Sequence, residues 1–356
     1  MISVILLVYN GEEYLRQCLD SVVNQTAGME NIELIAFNDV STDSSGDILK
    51  EYQKKWPDNI RIVNREVNSV SAGESNRNLG VEMASGNYIL FLDQDDWYRL
   101  DAFKRLEELM DQNKELDFIE YSFNYTDKDG HVFQEQHVQE EGVHLYSVKD
   151  ENKRIDYVKH GLLPSLTFVW SKIYRKSFLE TNHLKENGMS FADNFFSGLV
   201  NLYCTSFGKC DEAFYNYRNY MGSGSHKKEL NDESVFKRCR IGLAFYEECK
   251  RRDLLQKQHI FVGFIFTNTF FVKPFWRLLF MFEPIPYEYL REMRKTMKCL
   301  YPYIRDNEIV QSKKYMLELV TLLDEEWTDV FLQEVYKKRQ RMYEDNGTQF
   351  DTFLGR

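Results

Sequence analysis

The residues of this chain best placed to do chemistry are three carboxylates at the end of an apolar run. Asp93-Gln94-Asp95-Asp96-Trp97 follows directly on Tyr88-Ile89-Leu90-Phe91-Leu92. Hard oxygen ligands at the C-terminal edge of a sheet suit a divalent cation such as Mn2+ or Mg2+, and open α/β folds bind their ligands along that edge. The arrangement predicts a site for a metal and a phosphate ester. An isolated D-x-D is as readily a solvated acidic turn, so the surrounding chain has to decide. A second polar loop, Asn38-Asp39-Val40-Ser41-Thr42-Asp43, follows the apolar segment Ile32 to Phe37. Asp193 stands where an amphipathic helix opens, with Phe195, Phe196, Leu199, Val200 and Leu202 as its apolar positions. An Asp there reads as a helix cap or as a general base.

The elements that must position these groups alternate. Val4 to Val8 is aliphatic without a period of two, as in a strand buried on both faces of a parallel sheet. A helix follows, for which Asn10 is the expected cap and Tyr14, Leu15, Cys18, Leu19, Val22 and Val23 form the apolar face. Strand two (Ile32 to Phe37), a helix from Asp47 to Lys55, strand three (Ile60 to Val63) and a helix ending near Ala84 lead into the strand that carries Asp93. The order β-α-β-α-β-α-β predicts a mainly parallel sheet with right-handed crossovers, which brings the acidic loops to one crevice. Neither G-x-G-x-x-G nor a P-loop follows the early strands, so metal would hold the diphosphate. Arg77 could add a bidentate contact, or stand as a surface arginine at a helix start.

The 356 residues suggest about two domains, and a composition 43% hydrophobic and 15% aromatic fills a substantial core. A net charge of -11 argues against a general nucleic-acid binder. Six scattered cysteines without C-x-x-C spacing fit reduced, packed thiols. The apolar start, Met1 to Tyr9, lacks a basic region and ends in Asn10-Gly11, so it reads as a first strand and not a signal peptide. The expected location is cytoplasmic, with a peripheral contact on the inner face of the cell membrane as a further expectation.

Val8-Tyr9-Asn10, Asn38 to Asp43, Asn68, Gly73 to Gly80, Gly86-Asn-Tyr and Leu92 to Trp97 follow one another in the order and spacing of a known family. Over roughly residues 1 to 225 the chain resembles the family 2 glycosyltransferases of GT-A fold. The resemblance implies that Tyr9, Asp39, Asn68 and Arg77 hold the nucleotide, with Asp39 accepting from a uracil ring. It implies that Asp93, Asp95 and Asp96 hold ribose and metal, with Asp95 as first ligand. Trp170 and Lys172, in Trp170-Ser-Lys172, look like the segment that floors the sugar and acceptor pocket. A core aromatic is the alternative for Trp170. Arg218 and His226 would close over the diphosphate, as in relatives, although His226 is as readily an ordinary exposed histidine. The family usually has two acids at Asn38-Asp39 and a glycine at Val40, and it usually has two acids where this chain has Ala192-Asp193. Asp193 aligns with the second and would be the general base.

The implied domains are a GT-A unit over residues 1–228, divided into a nucleotide-binding half (1–115) and an acceptor half (116–228), and a helical unit over 229–356. Leu116 to Tyr125 reads as a strand turning at Thr126 to Gly130, and Gln134 to Gly142 as an exposed loop. Beyond residue 230 the pattern is helical: Ser234 to Leu255, Ile260 to Phe282, Tyr287 to Leu300 and two more. The aromatic stretch from Phe261 to Phe282 is interrupted by Lys273, Pro274 and Arg277, which disfavours a spanning helix. A buried core or subunit helix is expected, with a membrane-surface helix second.

The expected activity is metal-dependent, inverting transfer of a hexose from a nucleotide sugar, of the UDP class, to a hydroxyl of a cell-surface glycan, lipid-linked or protein-linked acceptor. The alternative is a catalytically silent homologue serving as a partner subunit. A nucleotidyltransferase would need a basic glycine-rich loop after strand one, where Asn10-Gly11-Glu12-Glu13 is acidic. A glycosidase would need a second, protonated carboxyl that an activated leaving group makes unnecessary.

Overall fold

The strand β1 (Ile2–Val8) is aliphatic on both faces because it lies inside a sheet, with β2 (Ile32–Asn38) on one side and β4 (Tyr88–Asp93) on the other, both parallel to it. This is the computed structural model of the chain, and it describes residues 1–69, 75–138, 141–189, 192–219, 232–281 and 284–346. The chain divides into two compact units, residues 1–154 with 162–228, and residues 155–161 with 229–356.

In the first unit, α1 (Leu15–Val23), α2 (Ser45–Lys55) and α3 (Asn76–Met83) connect β1, β2, β3 (Ile60–Asn64) and β4. These four strands form the parallel half of a ten-stranded sheet, and the whole runs β3-β2-β1-β4-β9-β6-β10-β5, with β7 on β6 and β8 on β10. The second half is mixed. Here β6 (Phe118–Thr126) and β10 (Ser206–Arg218) are parallel to each other. The strands β5 (Trp97–Tyr98), β7 (Val132–Gln136), β8 (Val143–Ser147) and β9 (Lys172–Arg175) all pair antiparallel. The helices α4 (Ala102–Gln112), α5 (Glu151–Lys159, of which residues 155–159 are assigned to the second unit), α6 (Lys176–Thr181) and α7 (Ala192–Tyr203) complete the series. This is the GT-A type of α/β fold, followed by helices.

Register decides where the acids go. Val8 pairs with Asn38, and Leu7 with Asp93, so the loops after β1, β2 and β4 leave the sheet at one edge. Close packing fixes α3 against β1 at Gly80, where a Cβ would lie 2.6 Å from Ile5 Cγ2. That contact sets the height of Arg77 above the sheet.

Four local expectations are corrected. Asn10 does not cap α1, whose N-cap is Tyr14. Its side chain instead accepts from Thr42 N at 2.7 Å, tying the β1 loop to the β2 loop. Gln134 to Gln136 belongs to the exposed strand β7, paired with β6, and is not loop. In the C-terminal unit the helices are α8 (Asp232–Arg251), α9 (Leu254–Lys257), α10 (His259–Ile265), α11 (Lys273–Met281), α12 (Tyr287–Ile304), α13 (Glu308–Ser312), α14 (Lys314–Leu322) and α15 (Asp329–Asn346). A π-helical segment, Phe266–Val272, breaks what the pattern predicts as one helix, and among the described residues three helices follow α12 where two are expected.

The aromatic stretch forms the core of this second unit: Phe261, Phe266, Phe271, Phe275 and Trp276 are buried, and Phe275 packs on Trp327 at 5.0 Å. No helix among the described residues is long and apolar enough to cross a membrane.

Candidate active site

At the sheet edge, Asp39 is buried and its carboxylate orders the strand-three loop. Oδ2 accepts from Asn68 Nδ2 and Ser69 Oγ, each at 2.9 Å, and Oδ1 accepts from Ser69 N at 2.9 Å. Two of the predicted nucleotide residues, Asp39 and Asn68, therefore meet directly. Val40 beside them has φ +66°, the left-handed region that glycine occupies without cost. Tyr9 is exposed, and its peptide is clasped by Gln94, with Tyr9 N donating to Oε1 at 2.6 Å and Nε2 donating to Tyr9 O at 2.9 Å. The clasp joins the β1 end to the acidic turn. Gly73 lies outside the described residues.

In the acidic turn Asp96 N donates to Asp93 O at 3.1 Å, closing Asp93-Gln94-Asp95-Asp96. Its members divide by burial. Asp93 and Asp95 are part-exposed, whereas Asp96 is buried with both oxygens engaged, by Tyr215 OH at 2.7 Å and by Arg218 N at 2.8 Å. Burial first, then neighbouring Asp93, pushes the Asp96 carboxyl well above the usual range. Asp96, expected from sequence among the metal ligands, instead anchors the turn to β10, while Asp93 and Asp95 keep part-exposed carboxylates.

Arg218 is corrected too. Its guanidinium is buried, donating to Asp95 O at 2.9 Å, to Gln17 Oε1 at 2.6 Å and to Lys128 O, between the rings of Tyr14 (4.1 Å) and Trp97 (4.7 Å). It braces the turn from behind and is not poised to close over a diphosphate. His226 lies outside the described residues.

Arg77 occupies the centre. Nη1 donates to Asp193 Oδ1 at 2.7 Å and to Glu186 Oε1 at 3.0 Å, and Nη2 donates to Asp93 Oδ1 at 3.2 Å. Burial opposes its charge, but Asp193, Glu186 and Asp93 together outweigh that and raise its pKa further. Three carboxylates about one guanidinium leave an excess of two negative charges. Burial pushes the Asp93 carboxyl up, against the pull of Arg77. Asp193 lies in the first turn of α7, and its neighbour Asn194 donates to Leu166 O at 2.9 Å, pinning the helix start to the 163–168 loop. Sequence reading brought Asp39 and the acidic turn to one crevice and singled out Asp193 through the family resemblance, but missed Glu186, which carries no motif in the local pattern.

Trp170 and Lys172 lie beneath this surface. Trp170 is buried, stacked on Tyr215 at 4.4 Å and on Tyr217 at 5.2 Å, so it is core and offers no open face to a sugar. Lys172 is fully buried, its Nζ donating to Phe168 O at 2.6 Å and standing 3.5 Å from Glu120, which Lys209 approaches at 3.7 Å. Burial lowers its pKa despite Glu120. Glu120 also accepts from Ser165 N at 2.7 Å, and Lys209 donates to Leu163 O at 3.2 Å. This ionic group anchors the 163–168 loop from below.

A separate group, Asp127, Asp129 and His131, brings its ligand atoms within 4.8 Å of one another. Asp127 Oδ1 accepts from Asp129 N and His131 N, each at 2.9 Å, so its visible work is closing the β6–β7 turn.

Comparison with known proteins fits this geometry. Residues 3–180 match the family described as Glycosyl transferase family 2. The chain belongs to the family 2 glycosyltransferases. It is 30% identical over 252 residues to the putative glycosyltransferase EpsH of Bacillus subtilis, an alignment that covers 69% of this chain and 67% of that protein. It is 34% identical over 220 residues to the minor teichoic acid biosynthesis protein GgaB of Bacillus subtilis, covering 61% of this chain and 23% of that one. To the poly(ribitol-phosphate) beta-glucosyltransferase of Bacillus spizizenii it is 43% identical over 113 residues, which are 32% of this chain and 18% of that protein. The chain thus spans about a quarter or less of the length of these last two relatives. Among solved structures, S. aureus TarS 1-349 in complex with UDP-GlcNAc has a TM-score of 0.63 at 17% identity, covering 91% of this chain and 90% of that one. That likeness establishes a shared fold for this family 2 glycosyltransferase.

Proposed function

We propose that this family 2 glycosyltransferase moves a sugar from a UDP-sugar donor to a hydroxyl of a cell-wall glycan of the teichoic acid kind, with inversion and with a divalent metal. The observation that carries this reading is Arg77, which joins the donor-side carboxylate Asp93 to the candidate base Asp193 in one cluster. Relatives named for teichoic acid synthesis and for poly(ribitol-phosphate) glucosylation support the acceptor class, and a TarS structure containing UDP-GlcNAc supports the donor class.

Asp39, with Asn68 and Ser69, seats the uracil, and Asp93 and Asp95 face the diphosphate. Hard, part-exposed oxygens beside uncompensated negative charge suit a cation, and Asp93 and Asp95 would hold it. A bound Mn2+ or Mg2+ would offset charge on the departing diphosphate. Asp193 accepts the proton of the acceptor hydroxyl as that oxygen bonds to the anomeric carbon. The bond from that carbon to the diphosphate breaks on the opposite face, and UDP leaves. The division at residue 228 into a catalytic unit and a helical unit that orients the acceptor or a partner belongs to the same proposal.

Two measurements test it. Calorimetric titration with UDP, GDP and CDP, each with Mn2+ and with chelator, is expected to show metal-dependent binding of UDP; no nucleotide binding would remove the proposal. Asp193→Asn is expected to retain that affinity while UDP release from the donor falls at least about a hundredfold, the range for losing a general base. Undiminished turnover would sink the base assignment.

A further inference from the structure

The three carboxylates around Arg77 differ in a way the reaction itself does not require. Asp93 and Asp193 are 38% and 41% exposed in their side chains, whereas Glu186 is 7% exposed. Glu186 is also the most heavily fixed. Its Oε2 accepts from Ser75 Oγ at 2.6 Å, and Ser75 Oγ in turn accepts from Asn78 N at the start of α3. The Asn78 side-chain amide pairs with the Glu186 peptide in both directions, Glu186 N to Oδ1 and Nδ2 to Glu186 O, each at 2.8 Å. Arg77 has less support. Among the described residues its Nε is buried without a hydrogen-bond partner, and the ring of Phe91 lies 5.8 Å from the guanidinium. The guanidinium is therefore placed by its carboxylates, and one of the three is immobile.

We propose that Glu186 is a positioning residue for sugar transfer: it fixes Arg77, and Arg77 sets the placement of Asp193 relative to Asp93. The proposal rests on the reading of Asp193 as the base. A planar guanidinium offers its terminal nitrogens in a rigid fork, so two working carboxylates held by one fork keep a constant separation. Without the anchor, Arg77 is held by two groups that both have access to solvent and substrate. The donor-side and acceptor-side geometries then vary independently, and a misplacement of about 1 Å is enough to cost on the order of a hundredfold in rate. Because Glu186 is only 7% exposed in its side chain and is held by Ser75 and Asn78, its loss is expected to act on kcat and to leave the KM for donor.

The test uses the full chain carrying E186Q, which preserves shape and removes charge, beside E186A and D193N. UDP affinity with Mn2+ is measured by calorimetry, and UDP release is measured with UDP-GlcNAc. For E186Q we expect UDP affinity and donor KM within about twofold of wild type and kcat at least about tenfold lower. In a D193N background the same substitution is expected to add less than about twofold, because both act through one group. Crystal structures of E186Q and E186A are expected to show Arg77 displaced from Asp193. Unchanged kcat in E186Q, a full tenfold loss added on top of D193N, or Arg77 still bridging Asp93 and Asp193 in both structures would each overturn the proposal. Full activity of D193N alone would instead remove the base assignment, and the crystal structures would still decide whether Glu186 holds Arg77.

Discussion

Val40 shows how a single backbone angle records a family preference. Its φ of +66° puts a β-branched residue where the strand-two loop turns left-handed. An L residue there costs about 1–2 kcal/mol, and glycine avoids that cost while losing about 0.5–1 kcal/mol of chain entropy on folding. Val40→Gly is therefore expected to be neutral or to stabilise by up to about 1 kcal/mol, read from thermal or urea melting with UDP affinity unchanged. A loss of 1 kcal/mol or more would mean that the exposed Val40 side chain makes a contact outweighing its strain. At the same scale, the residues singled out from sequence fall into two sets. Asp39, Asn68, Asp93 and Asp193 stand at the crevice with Arg77 among them, whereas Asp96, Trp170, Lys172 and Arg218 are buried supports. Residue type could not separate the sets, since an arginine that grips a diphosphate and one that braces a turn are the same letter.

Between elements, the supports act in series. β10 holds the acidic turn through Tyr215 and Arg218, and the buried Glu120, Lys172 and Lys209 hold the 163–168 loop, which in turn holds the start of α7 through Asn194. Lys172→Met removes one of the two donors to Phe168 O, leaving Ser171 Oγ at 3.1 Å, and takes a buried cation from Glu120, which Lys209 still faces, at a cost of about 1–3 kcal/mol. Urea denaturation is expected to show that loss, with UDP affinity retained and turnover reduced because the loop under Asp193 loosens. A variant as stable as wild type would mean that the lysine is dispensable to the loop. The helix boundaries the sequence misplaced have a similar origin. The π-helical segment Phe266–Val272 interrupts an apolar run that local periodicity predicts as continuous, because tertiary packing of buried rings overrides the local pattern.

For the molecule as a whole, uncompensated negative charge in the first unit predicts a response to metal and pH. Burial raises the carboxyls of Asp93, Asp96 and Glu186 above their unfolded values. A raised folded value contributes stability in full below the unfolded value, about 4, and gives it up as pH rises through the folded value. Metal-free protein is therefore expected to lose that contribution progressively as pH rises above about 4. Mn2+ would compete with the proton for the Asp93 carboxylate, so its stabilisation is expected to grow as pH rises. Melting temperatures with and without Mn2+ across that range check this, and a metal effect independent of pH would count against Asp93 as a ligand.

What the sequence determined by itself was the alternation of strands and helices in the first unit and the placing of acidic loops at strand ends. Both follow from local information: unalternated apolar runs make buried strands, and Asn, Asp, Ser and Gly end them. Since parallel strands then leave the sheet at a common edge, the shared edge of the Asp39 and Asp93 loops was legible, whereas Asp193 was singled out only through the family resemblance. The tertiary structure alone decided what the cations and aromatics do. Arg77 meets Glu186 across 109 residues and Arg218 meets Asp95 across 123, and no local pattern encodes a partner at that distance. Whether a charged side chain reaches solvent or is buried among carbonyls depends on the low-dielectric surroundings that such distant segments build, and that is a property of the packed molecule.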